Sequence, residues 1–128
     1  MLRTFLRELR HKRVLSDSQA AQKLSQWNVE GGKATRSFTF GTFEEASNFI
    51  LRFSEYATKV GSQPSWQNVY NGVTVTLENS EFEAVTEKEV ELGHYLDRLH
   101  SVDLDEIRNR NLEESSEIHI SLEAMRNN

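Results

Sequence analysis

Ser62-Gln63-Pro64-Ser65-Trp66-Gln67-Asn68-Val69-Tyr70-Asn71-Gly72-Val73-Thr74-Val75-Thr76-Leu77 holds the single proline of the chain and one of its two tryptophans. Its second half alternates. Val73, Val75 and Leu77 fall on one side, Thr74 and Thr76 on the other, the period-two pattern of a half-buried strand. Pro64 has no amide hydrogen and a fixed φ, so it stops a helix arriving from upstream and pins a loop. The spacing predicts a strand over Val69–Leu77, followed by a turn and a short further strand within Glu78–Phe82.

Working outward, Phe43, Ala46, Phe49, Ile50, Phe53, Tyr56 and Ala57 recur at three- and four-residue steps, which predicts a helix ending near Val60-Gly61. Thr42 with Glu45 three residues on reads as a capping box at its start. Before it, Ala34, Arg36, Phe38 and Phe40 alternate with Thr35, Ser37 and Thr39. With Trp27–Glu30 and the Gly31-Gly32 turn they make a β-hairpin. Ser16 and Gln19 form a second capping box, opening a helix that runs through Ala20, Ala21 and Leu24 to about Gln26. Thr86 and Glu89 form a third, ahead of a stripe of Val90, Leu92, Tyr95, Leu96 and Leu99. The implied fold class is α+β: a small antiparallel sheet of three to four strands with three helices packed on one face, in α-β-β-α-β-β-α order.

At 128 residues, 37% hydrophobic and 27% charged, the chain has room for one domain with a modest core. Its longest apolar runs fall far short of the roughly 20 residues a bilayer-spanning helix needs. The absence of cysteine excludes disulfides, thiolate catalysis and zinc–sulfur sites. The net charge of −5 is unevenly spread: Arg3, Arg7, Arg10, Lys12 and Arg13 stand against Glu8 alone, +4 over residues 1–13, which leaves −9 for the rest. An acidic body of this kind is repelled by a phosphate backbone, so nucleic-acid binding by the domain is not expected.

The first residues are amphipathic as well as basic. Leu2, Phe5, Leu6 and Leu9 keep helical spacing, which suits either a mitochondrial or other organellar address, or else a first helix of a cytoplasmic protein that docks on something acidic or on its own domain. If the segment persists, it also suits a partner groove or an anionic surface. From Asp103 onward there are seven acidic and three basic residues. There Leu104, Ile107, Leu112, Ile118, Leu122 and Met125 fit broken helical spacing of the kind that folds against a partner. The chain is therefore expected to divide into a basic amphipathic segment over 1–15, an α+β domain over 16–102 and an acidic extension over 103–128. Protein partners are expected through the two extensions, with a homo- or hetero-oligomer as the working state.

The central stretch resembles the core motif of the pterin-4a-carbinolamine dehydratases, which reads His-His-Pro-x-Trp-x-Asn-Val-Tyr-Asn. The resemblance extends from about Leu24 to Leu99 through Trp27-Asn28, Phe38-x-Phe40-x-x-Phe43, Phe49-x-x-Arg52 and Thr86-x-x-Glu89-x-x-Leu92. It implies removal of water from a 4a-hydroxytetrahydropterin, a tetrahydrobiopterin derivative, with no metal and no cofactor beyond the substrate. That reaction needs a base at a ring nitrogen and an acid at the leaving hydroxide. Imidazole serves both because it titrates near neutrality.

Here the sequence departs from the family. The two histidines ahead of the proline are replaced by Ser62 and Gln63, the histidine following the strand by Ser80, and the acidic residue often preceding the pair by Gly61. Neither a hydroxyl nor an amide titrates near neutral pH, so none of these side chains serves unaided as a general acid or base. The expectation is a dehydratase-like protein without catalytic residues, a pseudoenzyme used as a structural or interaction subunit in a larger organellar complex. The alternative is an active 4a-hydroxytetrahydrobiopterin dehydratase, a lyase, with a rearranged acid/base set. A pterin pocket, if kept, would be drawn from Ser62, Gln63, Pro64, Trp66, Tyr70, Ser80 and Glu81. The histidines that remain, His11, His94, His100 and His119, lie elsewhere in the sequence, and His94 and His100 read as solvent-facing or interfacial. No metal-ligand spacing, phosphate-binding glycine loop or serine nucleophile motif is present.

Overall fold

The computed structural model describes residues 2–102; the expected acidic extension lies outside the described residues. The elements are α1 (Leu2–His11), β1 (Val14–Leu15), α2 (Asp17–Lys23), β2 (Asn28–Glu30), β3 (Lys33–Thr39), α3 (Phe43–Val60), β4 (Ser65–Val69), β5 (Gly72–Leu77), β6 (Val85–Thr86) and a final helix, α4, over residues 87–102. Strands β2 to β5 form an antiparallel sheet in the order β2-β3-β5-β4, and β1 pairs with β6 in a separate antiparallel ribbon. The α+β expectation holds, with helices and an antiparallel sheet in nearly the anticipated order.

Register explains which side of the sheet is covered. Ala34 pairs with Leu77, Arg36 with Val75 and Phe38 with Val73, so these residues share one face. Ala34, Phe38, Val73, Val75 and Leu77 are fully buried there. They pack with Phe49 and Phe53 of α3, Leu92 and Leu96 of α4, and Ala20 of α2 with Leu24 just beyond its end, in one core. The rings of Phe38 and Phe49 lie 4.9 Å apart, and Trp27 meets Phe38 edge-on at 5.9 Å. On the opposite face Ser37 faces Thr74 (2.9 Å) and Thr35 faces Thr76 (3.4 Å), a ladder of hydroxyls. The alternation that marked the strands in the sequence is thus the division between core and water.

The structure differs from the expected elements in four places. Val69–Leu77 is not one strand. Tyr70, at φ 53°, and Asn71 form a two-residue turn between β4 and β5, and the Asn68 amide braces it by donating to the carbonyls of Tyr70 and Gly72 at 3.0 and 2.9 Å. The segment after Pro64 is accordingly an edge strand, not a loop, because an edge strand needs partners on one side only. Helix α2 stops at Lys23, short of Gln26, with Leu24 leaving helical geometry at ψ 66°. Residues 80–83 form a turn closed by the Asn79–Ala84 bridge, and the further strand follows as β6. The β1–β6 pair is too short to leave a period in the sequence.

The three capping boxes differ in detail. At Ser16 and Gln19 both reciprocal bonds form. At Thr42 the hydroxyl accepts from the Glu45 amide, but the Glu45 carboxylate accepts from Gly41 instead of Thr42. At α4 the cap is buried: Thr86 is 0% and Glu89 2% exposed, and Glu89 accepts from both the Thr86 amide (3.0 Å) and the Thr86 hydroxyl (2.6 Å). His100 also departs from expectation. Its ring packs edge-on against Phe38 and Phe40 at 5.2 Å, and its Nε2 lies 3.3 Å from the Thr39 carbonyl.

The β2–β3 turn is tied into this frame. Asp17 accepts from the amides of Gly31 and Gly32, both at 3.0 Å. Both glycines have positive φ, and a Cβ on Gly32 would stand 2.5 Å from the Glu83 carbonyl oxygen, whereas one on Gly31 would meet nothing within 4 Å. Gly32→Ala is therefore expected to cost about 2–4 kcal/mol, strain and overlap together, and Gly31→Ala only about 1–2 kcal/mol. Urea unfolding midpoints at constant slope will rank the two. In the same assay Thr86→Val, which strips one donor from a buried carboxylate, is expected to cost about 1–3 kcal/mol.

Candidate functional site

Three chain segments converge at one end of the core. Helix α3 ends at Gly61, whose φ of 72° closes the last turn, with the Gly61 amide bonded to the carbonyls of Ala57 and Thr58. The Ser62 amide returns to the Ala57 carbonyl at 2.8 Å. The ammonium of Lys88, in the first turn of α4, donates to the Gly61 carbonyl, satisfying a backbone acceptor that the helix end leaves open. The third segment is the turn after β5, where Asn79 Oδ1 accepts from the Glu81 amide at 3.0 Å.

Between these segments lies an open cleft of about 470 Å³. Thr58, Gly61, Ser62 and Gln63 line it from the α3 side, Glu78, Asn79, Ser80 and Glu81 from the turn, and Lys88 and Glu89 from α4. The fold therefore brings Ser62, Gln63, Ser80 and Glu81 to one cavity although 17 or more positions separate the two groups in sequence. Pro64, Trp66 and Tyr70 are not among its lining residues. Trp66 sits on β4 beside Val75, its ring edge-on to Phe53 at 6.2 Å, and Tyr70 stands 70% exposed at the hairpin tip.

The cleft is polar and rich in carboxylates. Glu78, Glu81 and Glu89 line it together with Lys88, the one ammonium in the lining. Glu78 reaches toward Lys33 at 4.0 Å, and Glu89 is engaged by Thr86. None of the described histidines is among the lining residues. His11 contacts Glu91 at 2.7 Å, His94 lies 2.7 Å from the Lys23 carbonyl, and His100 is among the phenylalanines. His119 lies outside the described residues. Among the described residues no group of histidine, aspartate and glutamate could hold a metal ion. The lining groups can donate and accept hydrogen bonds to a polar ligand, and the imidazole pair of a two-step proton transfer is not among them.

Sequence reasoning assigned no site role to Glu78, Asn79, Thr58, Lys88 or Glu89. Glu89 carries a signal in the sequence, but as a helix cap and not as a cleft residue. Lys88 offered none, since its link to Gly61 spans 27 residues and depends on how two helix ends meet.

A family model described as pterin 4 alpha carbinolamine dehydratase matches residues 13–99. Relatives carrying that dehydratase name include one from Burkholderia multivorans, 36% identical over 59% of this chain and 76% of its own length. Another, from a Bradyrhizobium species, is 38% identical over 64% of this chain and 85% of its own. Among solved structures, a transcriptional coactivator/pterin dehydratase from Brucella melitensis superposes with a TM-score of 0.65 at 31% identity, over 69% of this chain and 99% of that one. A pterin dehydratase-like protein described as a RuBisCO assembly factor in the alpha-carboxysome shares the fold, with a TM-score of 0.50 at 17% identity, over 58% and 86% of the two chains. A match spanning everything from β1 to the last turns of α4, with the cleft inside it, means that this chain belongs to the pterin 4 alpha carbinolamine dehydratase family.

Proposed function

We propose that this chain is a pterin dehydratase-like protein that no longer turns over the carbinolamine and serves as a structural or interaction subunit of a larger assembly. The observation that carries the reading is the make-up of the cleft: the three positions at which the family's histidines are expected hold Ser62, Gln63 and Ser80, and no described imidazole reaches them. Loss of one general acid or base typically costs about 10²- to 10⁴-fold in rate, and here all three positions have changed. A cleft of about 470 Å³ with a polar lining suits the binding of a polar ring without its transformation. Ser62, Gln63, Ser80 and Glu81 would hold such a ligand; Pro64, Trp66 and Tyr70, which the sequence also put forward, stand outside the cleft lining. The partner proteins are taken to dock on the acidic C-terminal extension, in a homo- or hetero-oligomer.

A second reading is an active dehydratase that uses other proton carriers, and one observation favours it. Glu81, Lys88 and Glu89 are titratable and line the cleft. Turnover of 4a-hydroxytetrahydropterin by the purified chain separates the two. The expected result is a rate within about tenfold of the uncatalysed reaction, and partial recovery in the triple variant Ser62→His, Gln63→His, Ser80→His. Acceleration beyond about 10²-fold that is lost in Glu81→Gln or Glu89→Gln would establish the second reading instead.

The basic start also supports an organellar, and specifically mitochondrial, destination. The full chain fused to a fluorescent protein at its C-terminus is expected to colocalise with a mitochondrial marker and to become diffuse when Arg3 and Arg10 are changed to glutamate. A diffuse wild-type signal would remove the assignment.

A further inference from the structure

An amphipathic helix on a globular surface ordinarily turns its apolar stripe inward. Helix α1 does the reverse. Leu2, Phe5, Leu6 and Leu9 are between 54% and 71% exposed, and none of them joins the core. The side held against the body is polar: Arg10 and His11 both pair with Glu91 of α4, and the His11 side chain is only 13% exposed. At 3.6 residues per turn His11 falls nearly opposite the middle of the apolar stripe, so the stripe points away from the domain.

We propose that this face is a docking surface for an anionic lipid bilayer, with α1 lying in the plane of the headgroups. Charge favours that occupant. Residues 1–13 carry +4 while the rest of the chain carries −9, so an anionic surface attracts this end alone and repels the remainder. Attraction and repulsion together orient the molecule, with the domain and its cleft held off the membrane. Arg3, beside the stripe, and Lys12 and Arg13, just past the helix, are exposed and placed to meet headgroup phosphates. A helix of about 15 Å with four large apolar side chains on one side suits a shallow interfacial position. Among the described residues no helix is long and apolar enough to cross a membrane, so the contact is peripheral. A second copy is a poorer occupant, since pairing two such stripes would bring the same arginines together. The inference does not depend on whether the cleft has lost its turnover.

The test is sedimentation of the full-length chain with vesicles of phosphatidylglycerol and phosphatidylcholine, and with phosphatidylcholine alone. Binding is expected only to the anionic vesicles, to fall about tenfold or more in Arg3→Glu, and to fall similarly in Leu6→Asp, with circular dichroism unchanged because both positions are exposed. Because the chain has no cysteine, Leu6→Cys carries a single environment-sensitive fluorophore, whose emission is expected to shift to the blue when anionic vesicles are added. No binding, equal binding to neutral vesicles, or variants that bind like the parent would overturn the proposal. So would a probe already shielded before lipid is present, which would mean that protein, the acidic tail or a second copy, covers the stripe.

Discussion

Arg36 places a positive charge on the buried side of the sheet, between Ala34 and Phe38 and level with Val75. A guanidinium there must be compensated, because desolvation without a partner costs several kcal/mol. The compensation comes from α4: Asp97 accepts from Arg36 and, at 2.9 Å, from the indole nitrogen of Trp27. The guanidinium also lies over the Phe38 ring at 4.6 Å. One carboxylate thereby fixes the position of α4 against β3 and of Trp27 against both. With α4 set, its N-terminal turn must meet the end of α3, and that meeting makes the cleft.

The cleft is therefore a by-product of core packing, and its chemistry is separable from its shape. Ser62 is half-buried, Gln63 and Ser80 are exposed, and none belongs to the core cluster. Exchanging an imidazole for a hydroxyl or an amide at such positions changes proton transfer without opening a cavity or stranding a buried group. The residues that do carry the local structure are others: Gly61 in its left-handed conformation, Lys88 on the Gly61 carbonyl, and the buried Thr86–Glu89 cap. A fold does not by itself fix the chemistry of its site, so family membership leaves activity to be decided by the side chains in the cleft.

Much of this was legible in the sequence where a single period dominated. The α3 stripe from Phe43 to Ala57 and the Val73, Val75, Leu77 alternation were decisive because burial on one face is what imposes a period. The Ser65–Val69 strand was not legible, because an edge strand half open to water has no burial contrast; its burial hardly varies along its length. The β4–β5 turn hid for a related reason, since Asn68 stabilises it through backbone carbonyls that no residue pattern reveals. At the site, the loop after α3 was found through its motif, whereas Lys88 and Glu78 became visible only once the helix ends and the β5 turn were placed together.

The two tryptophans occupy unlike surroundings. Trp27 is 5% exposed within the aromatic core, while Trp66 is 48% exposed on the outer strand against Phe53. Indole emission moves with solvent contact, so the chain carries a built-in pair of optical reporters. The bluer component follows the interior and the redder one the rim of the sheet. Replacing either indole with phenylalanine would leave a single-colour protein in which loosening at the edge can be watched apart from collapse of the whole.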